Sequence, residues 1–393
     1  MDAAAPHAVV GVPPGWRGRV ARASLLGASP LMALMFAALG PVVPTIADHF
    51  GGRTGGAFAA QMILTMPAIG VILGGIAGGF SVERFGPRPV LIAALTAYGL
   101  LGVSGFVIES LPLLLATRLL LGFCVAQVGT AIGVVVGGWY EGVARAKLLG
   151  YQSAVAGVFA VSGLILSGLL AEVGGWRAPF LLYLLAFAIL ALAVTLPRDV
   201  ARTVRAGARP SLRPLTRLWP VYALAMFLFV NYFMTSIQLS FLLAEDGVKS
   251  ALARSLVIAT GVLAGGICGG FYGRFYARLG ERGTQILLTL MMAAGLALIG
   301  FSGSLVGQAV GAALSGGGGG MIPPHISGIL LNRVPAELRA RAVGLEFTVL
   351  YIADFLNPLV MTPLRAAVGT HNAFIVAALA LLAAAGVMLL RKR

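Results

Sequence analysis

The sequence predicts an all-α polytopic membrane protein with twelve transmembrane helices in two pseudo-symmetric six-helix bundles. Three observations predict it: composition, recurrent long apolar runs, and an internal duplication. Of 393 residues, 59% are hydrophobic and only 10% charged, and the mean hydropathy is +0.95. Soluble domains carry about 25% charged residues, so that class is excluded. The apolar runs are continuous rather than alternating, which selects helices over a β-barrel.

Each run is about 18–25 residues, long enough to cross a bilayer. In order, the expected helices cover 24–47, 57–80, 89–108, 113–138, 148–171, 178–196, 219–243, 254–276, 284–303, 305–331, 341–366 and 371–390. Residues 1–23 form an N-terminal tail without the apolar core of a signal peptide. The bundles then occupy 24–196 and 219–390, separated by an Arg/Pro linker at 197–218 and followed by a basic end at 391–393.

Charge sets the expected orientation. Of the 28 basic residues, 22 fall on one side of this topology, in the tail, the linker, alternate turns and the C-terminal end. The opposite turns hold only Arg53, Arg177, Lys249, Arg254 and Arg365. The positive-inside rule therefore places both termini in the cytoplasm. It also explains the net charge of +15 without nucleic acid. The expected setting is a cell membrane, such as a bacterial inner membrane, with lipid as surrounding partner and a monomer as the unit. Cys124 and Cys268 fall within spans and read as packing residues.

The second half repeats the first. Residue numbers that differ by 194 align Gly79, Arg84, Gly86 and Arg88 with Gly273, Arg278, Gly280 and Arg282. The same offset aligns Arg145, Ala146, Lys147 and Gly150 with Arg339, Ala340, Arg341 and Gly344. Two regions sharing one offset mark a genuine repeat. The stretch from Gly79 through Glu83, Arg84 and Gly86 to Arg88 resembles the loop between helices 2 and 3 of the major facilitator superfamily. Glu83 stands where that pattern has Asp, and Pro87 where it has a basic residue. The resemblance implies two homologous bundles around a midplane site. It also implies that Glu83 meets the start of helix 11, at Arg339 and Arg341, as a cytoplasmic latch. The alternative is a loop that only anchors topology. The second copy has Ala277 instead of the acid, so a matching latch is expected to be weaker or absent.

Ionisable residues inside spans are functional candidates because lipid makes them costly. Only Glu346 and Asp354 qualify among the acids, both in helix 11. Asp354 lies near mid-span. An unpaired carboxylate in apolar surroundings tends to hold a proton, as proton coupling requires; the alternative is a structural hydrogen bond. Glu346 pairs with Gln152 in the repeat and reads as a gate, a proton exit or a structural group. Arg118 stands inside helix 4, resembling the arginine signature of the family's proton-driven exporters. It can tune a carboxylate, bind an anionic substrate or serve structure. His325 follows Pro323, Pro324 and the glycine run 316–320, which permits bending or close packing. It is either a titrating group or a packed one.

The family's cavity is lined mainly by helices 1, 4, 7 and 10, assisted by 2, 5, 8 and 11. Carried onto this chain, this implies Gln61, Gln127, Asn231, Tyr232, Gln238, Tyr351 and Asn357 as wall residues, beside Arg118 and His325. The exporters' helix 5 motif is only partly present. Gly150, Gly163 and Gly168 fit it, whereas Phe159, Leu164 and Ser167 depart from it. The leading expectation is proton-coupled efflux of a small organic molecule, with proton-linked uptake or facilitated transport of an organic anion as the alternative. A sensor or scaffold is a third class. No Walker loop, zinc-spaced His pair or nucleophile elbow occurs. Neither an enzyme activity nor a cofactor or metal is expected, and an ion gradient should supply the energy.

Overall fold

Glycine, proline and the ends of the apolar runs decide where the helices stop. The computed structural model describes residues 15–140, 142–196, 216–334 and 338–390. The described residues are almost entirely helical, with no strand among them. Ten helices are long and apolar enough to cross a membrane. They are α1 (Gly18–Gly51), α2 (Gly56–Phe85), α3 (Pro87–Ser104), α4 (Leu111–Val136), α5 (Val155–Gly174), α7 (Trp219–Glu245), α8 (Ala251–Gly270), α9 (Tyr272–Phe301), α11 (Gly344–Val368) and α12 (Thr370–Leu390). The shorter α6 is Ala178–Val194. The remaining span, α10, is broken at Met321 into Leu305–Gly320 and Ile322–Arg333. These twelve segments follow the expected runs.

The repeat is visible in the backbone. Gly86 and Gly280 both adopt positive φ, 85° and 68°, at the two motif turns. Gly280 is the physical turn between the eighth and ninth spans, because helical winding otherwise continues from Tyr272 onward. Gly175 and Gly369, again 194 apart, have φ of 69° and 84° and turn the chain before α6 and α12. Side chains at these four positions would be strained. Arg88 donates to the Val194 carbonyl at 2.6 Å, and Arg282 donates to the Met388 carbonyl at 2.6 Å. The partners are 106 residues apart in both cases. Each motif arginine thus satisfies a carbonyl at the end of the last helix of its half, where the helix dipole favours a cation.

The chain divides into two compact units. Unit 1 holds residues 1–39, 65–163 and 177–207; unit 2 holds 40–64, 164–176 and 208–393. The linker 197–218 lies almost entirely outside the described residues.

In unit 1, α3 presents Gly99, Gly102 and Gly105 to Phe187, Tyr183 and Phe180 of α6. Rings fill the space that side chains would take, as is usual where lipid-embedded helices pack through small residues. Tyr98 donates to the Leu31 carbonyl at 2.7 Å, fixing α3 to α1. Gln152, the repeat partner of Glu346, donates to the Leu25 carbonyl at 2.9 Å.

In unit 2, the five glycines at 316–320 face three different helices. Cβ atoms on Gly316 and Gly320 would strike the Gly261 and Gly265 carbonyls of α8. One on Gly318 would meet the Leu288 carbonyl of α9, and one on Gly319 the Tyr232 ring of α7. Close packing on several sides, rather than bending alone, accounts for the run. The helix break follows directly after it, at Met321.

Candidate functional site

In unit 2, polar side chains from three helices meet where α7 leaves regular winding. Residues Met234–Gln238 form a π turn, a feature often found at functional sites. The Met234 amide bonds to the Asn231 carbonyl. The Val230 carbonyl, just before the turn, accepts from Asn357 Nδ2 at 2.9 Å. Gln238, at the end of the turn, is fully buried. Its Nε2 donates to Gln61 Oε1 at 2.9 Å and to Asn357 Oδ1 at 2.8 Å. Thr362 also donates to Gln61 Oε1, at 3.3 Å. Three residues predicted as cavity wall, Gln61, Gln238 and Asn357, are therefore joined through the Gln238 amide.

Arg365 extends this cluster toward the turn between α11 and α12, on the side expected to be outer. Its Nη1 donates to Gln238 Oε1 at 3.1 Å and its Nη2 to Glu245 Oε1 at 2.9 Å. Its Nε donates to Thr370 Oγ1 at 3.1 Å. The guanidinium lies over the Phe241 ring, 4.6 Å from the centroid, a favourable cation–π geometry.

A second junction forms where α1 tightens into a 3₁₀ turn at Gly40–Val42. Pro41 and Pro44 lack amide protons, so the regular ladder is interrupted there. The Pro41 carbonyl accepts from Arg254 Nε at 3.0 Å and from Ser240 Oγ at 3.3 Å. Arg254 is 4% exposed and donates Nη1 to the Val248 and Lys249 carbonyls at 2.8 and 3.1 Å. Glu172 of α5 accepts from the Ser250 hydroxyl and from the Leu252 amide. Within unit 2, segments of α1, α2 and α5 are thus hydrogen-bonded to α7, α8 and α11.

Asp354 lies one turn from Asn357 on α11, about 4.5 Å along the axis. It is 1% exposed. Neither carboxylate oxygen has a hydrogen-bond partner among the described residues. Glu346, also buried, lies about 12 Å further along the same helix and accepts from the Ser327 hydroxyl of α10. The two acids thus differ: one is engaged, the other is not.

The remaining predicted residues are dispersed. Asn231 donates back to the Phe227 carbonyl of its own helix, and Tyr232 packs on Gly319. Tyr351 is buried on α11. His325 Nδ1 lies 3.2 Å from the Tyr272 hydroxyl, with the rings edge to face. In unit 1, Gln127 donates to the Gly74 carbonyl at 3.1 Å. Arg118 is fully buried there. It donates to the Leu101 and Gly102 carbonyls at 2.5 and 3.1 Å and lies over the Phe180 and Tyr183 rings. Its Nε and Nη1 have no hydrogen-bond partner among the described residues. At the motif turn, Gly79 faces open space, Glu83 is exposed, and Arg84 lies over Phe85. The expected latch partners Arg339 and Arg341 have side chains outside the described residues.

Sequence reasoning missed Arg254, Arg365, Glu245, Thr362 and Thr370. One signal was available. Basic residues are scarce in the turns expected outside, and three of the five present there have defined partners: Glu109 for Arg177, the Pro41 carbonyl for Arg254 and Glu245 for Arg365.

A model of the Major Facilitator Superfamily matches residues 25–358. No curated protein sequence matches the chain. Solved structures with the same fold include the nucleoside transporter NupG, at 13% identity and a TM-score of 0.74, covering 94% of this chain and 100% of that one. A D-xylose-proton symporter has 15% identity and a TM-score of 0.74, with 92% and 97% covered. The human organic anion transporter MFSD10 (TETRAN) has 19% identity and a TM-score of 0.65, with 95% and 100% covered. At these identities the likeness concerns the fold.

Proposed function

Since this chain belongs to the Major Facilitator Superfamily, we propose that it carries a small organic molecule across a cell membrane by alternating access, coupled to protons through Asp354. The family membership and the apolar helices make it a multi-pass membrane transporter. The proton-coupling step rests on one observation: a buried carboxylate with no hydrogen-bond partner among the described residues. Such a group is costly to ionise in place, so it carries a proton until water or a partner reaches it. Alternate exposure of the site to the two sides then moves that proton with each cycle. Glu346, bonded to Ser327, is the second acid on the same helix and serves as the proton's exit.

The Gln61–Gln238–Asn357 cluster and the Pro41 junction support a closed outer end in this reading. Opening that end requires these hydrogen bonds to be exchanged for water. Each is individually modest, about 0.5–1.5 kcal/mol, so the lock is reversible. Both termini face the cytoplasm in this arrangement.

Efflux and uptake differ in the sign of proton movement. The helix 4 arginine resemblance favours efflux; Arg118 Nη2 is held by main-chain carbonyls of unit 1, while its Nε and Nη1 have no hydrogen-bond partner among the described residues. One similar structure is that of a D-xylose-proton symporter, which favours uptake. Proteoliposomes carrying an internal pH dye decide both points. A panel of nucleosides, pentoses, organic anions and lipophilic cations should contain a compound that moves protons in wild type. The direction of the pH change identifies antiport or symport. Asp354→Asn should abolish accumulation driven by a pH gradient while sparing exchange of labelled for unlabelled substrate. Gradient-driven accumulation in that variant would overturn the proposal.

A further inference from the structure

The turn joining α11 to α12 is gripped by two consecutive acids at the end of α7. Glu245 Oε1 accepts from Arg365 Nη2 at 2.9 Å and from Thr370 Oγ1 at 2.9 Å. Asp246 Oδ1 lies 2.8 Å from His371 Nε2, and its Oδ2 accepts from Gln308 of α10. The other ring nitrogen, His371 Nδ1, lies 3.0 Å from the Gly300 carbonyl at the end of α9. A carbonyl and a carboxylate are both acceptors. The two hydrogen bonds therefore coexist only when both imidazole nitrogens carry protons.

The repeat supports a cation at this site. The position 194 residues earlier is Arg177, which pairs with Glu109 at 3.3 Å. One half holds a permanent cation after its glycine turn and the other holds a titratable one. His371 is 39% exposed and Asp246 19%, so protons from the adjoining water reach the pair.

We propose that His371, Asp246, Glu245 and Arg365 form a pH-sensitive clasp that holds the outer end of unit 2 closed while His371 is doubly protonated. Loss of one proton leaves either Asp246 or the Gly300 carbonyl facing a lone pair. The grip on the α11–α12 turn then weakens, and with it the Arg365 contact to Gln238, which is bonded to Gln61 and Asn357. The charged and titratable groups around the imidazole are Asp246 and Glu245 from α7 and, through Glu245, Arg365 from α11; Gln308 from α10 adds a neutral donor to Asp246. The sign follows: acid outside favours closure, and rising pH favours opening, over the range of about pH 5–8 in which histidine titrates. The clasp rests on family membership and not on Asp354 coupling, and its test needs no substrate.

Spin labels on Val173→Cys and Val306→Cys, both well exposed in unit 2, report the separation of α5 from α10 by pulsed electron resonance. The full chain in nanodiscs, with Cys124→Ser and Cys268→Ser, serves as parent. Between pH 5.5 and 8.0 a longer-distance population should rise about tenfold, as expected for loss of one charge-assisted hydrogen bond. His371→Ala should show that population at both pH values. His371→Arg, a permanent cation with several donors, should suppress it at both. Distances that ignore pH in the parent, or a pH response unchanged in His371→Ala, would overturn the clasp. Monodisperse elution of each variant separates these outcomes from misfolding.

Discussion

The two halves of the chain agree in their turns and crossings but diverge in their polar chemistry. Gly86 and Gly280 turn with positive φ, and Arg88 and Arg282 cap equivalent helix ends. A Cβ on Gly122 would strike the Pro67 carbonyl, and one on Gly316 would strike the Gly261 carbonyl, the same crossing 194 residues later. Against that common frame, Asp354 aligns with Ala160, Asn357 with Gly163, Arg365 with Ala171, and Arg118 with Ala312. Duplication preserved what builds a six-helix frame and left these four polar groups single. In α11, Asn357 and Arg365 meet Gln238 of α7, whereas Gly163 of α5 abuts Leu34 and Ala37. A repeat therefore separates scaffold from chemistry: what recurs supports, and what differs is the better candidate for function.

The sharpest way to break this comparison concerns Asp354. Asp354→Asn should eliminate gradient-driven accumulation in proteoliposomes, and adding Ala160→Asp should not restore it. Restoration would mean that the halves are chemically interchangeable. Next in size is Arg118→Ala, which empties a fully buried site and removes the guanidinium donor from the Leu101 and Gly102 carbonyls. A stability loss of about 3 kcal/mol is expected, read from thermal unfolding in detergent, with transport per folded molecule kept. Loss of transport at unchanged stability would return Arg118 to the transport site. Gly122→Ala and Gly316→Ala should each cost about 1–3 kcal/mol, and the two should agree because the crossings correspond. A large disagreement would show that only one crossing is tightly packed. Smallest are Arg88→Ala and Arg282→Ala, each removing a partly exposed helix-end cap for about 0.3–1 kcal/mol. Their unfolding shifts should match.

The candidate site was only partly legible beforehand. Gln61, Gln238 and Asn357 stood out because amides are rare within apolar runs, but their mutual bonding depended on the π turn in α7, which no spacing rule announces. Arg254 and Arg365 were assigned to turns because they lie at helix ends. In the structure α8 begins three residues before Arg254 and α11 ends three residues after Arg365, which places both within helices. Arg118 was legible as unusual, yet an arginine held by carbonyls and rings is indistinguishable in sequence from one awaiting a ligand. The glycine run at 316–320 was visible as a weakness, while its use against three neighbours needed those neighbours in place.

Membrane class, the succession of spans, the expected orientation and the offset of 194 are determined by the sequence alone. They depend on one-dimensional quantities: run length, charge placement and the recurrence of residues. Tertiary structure alone decided which polar groups meet. A helix that is apolar on all sides carries no strong mark of its rotation, because lipid and protein neighbours are alike in hydrophobicity. Only packing chose the faces, turning Gln238 toward Gln61 and Asn357, sealing Arg118 among its own helices, and leaving the Asp354 carboxylate buried without a hydrogen-bond partner among the described residues.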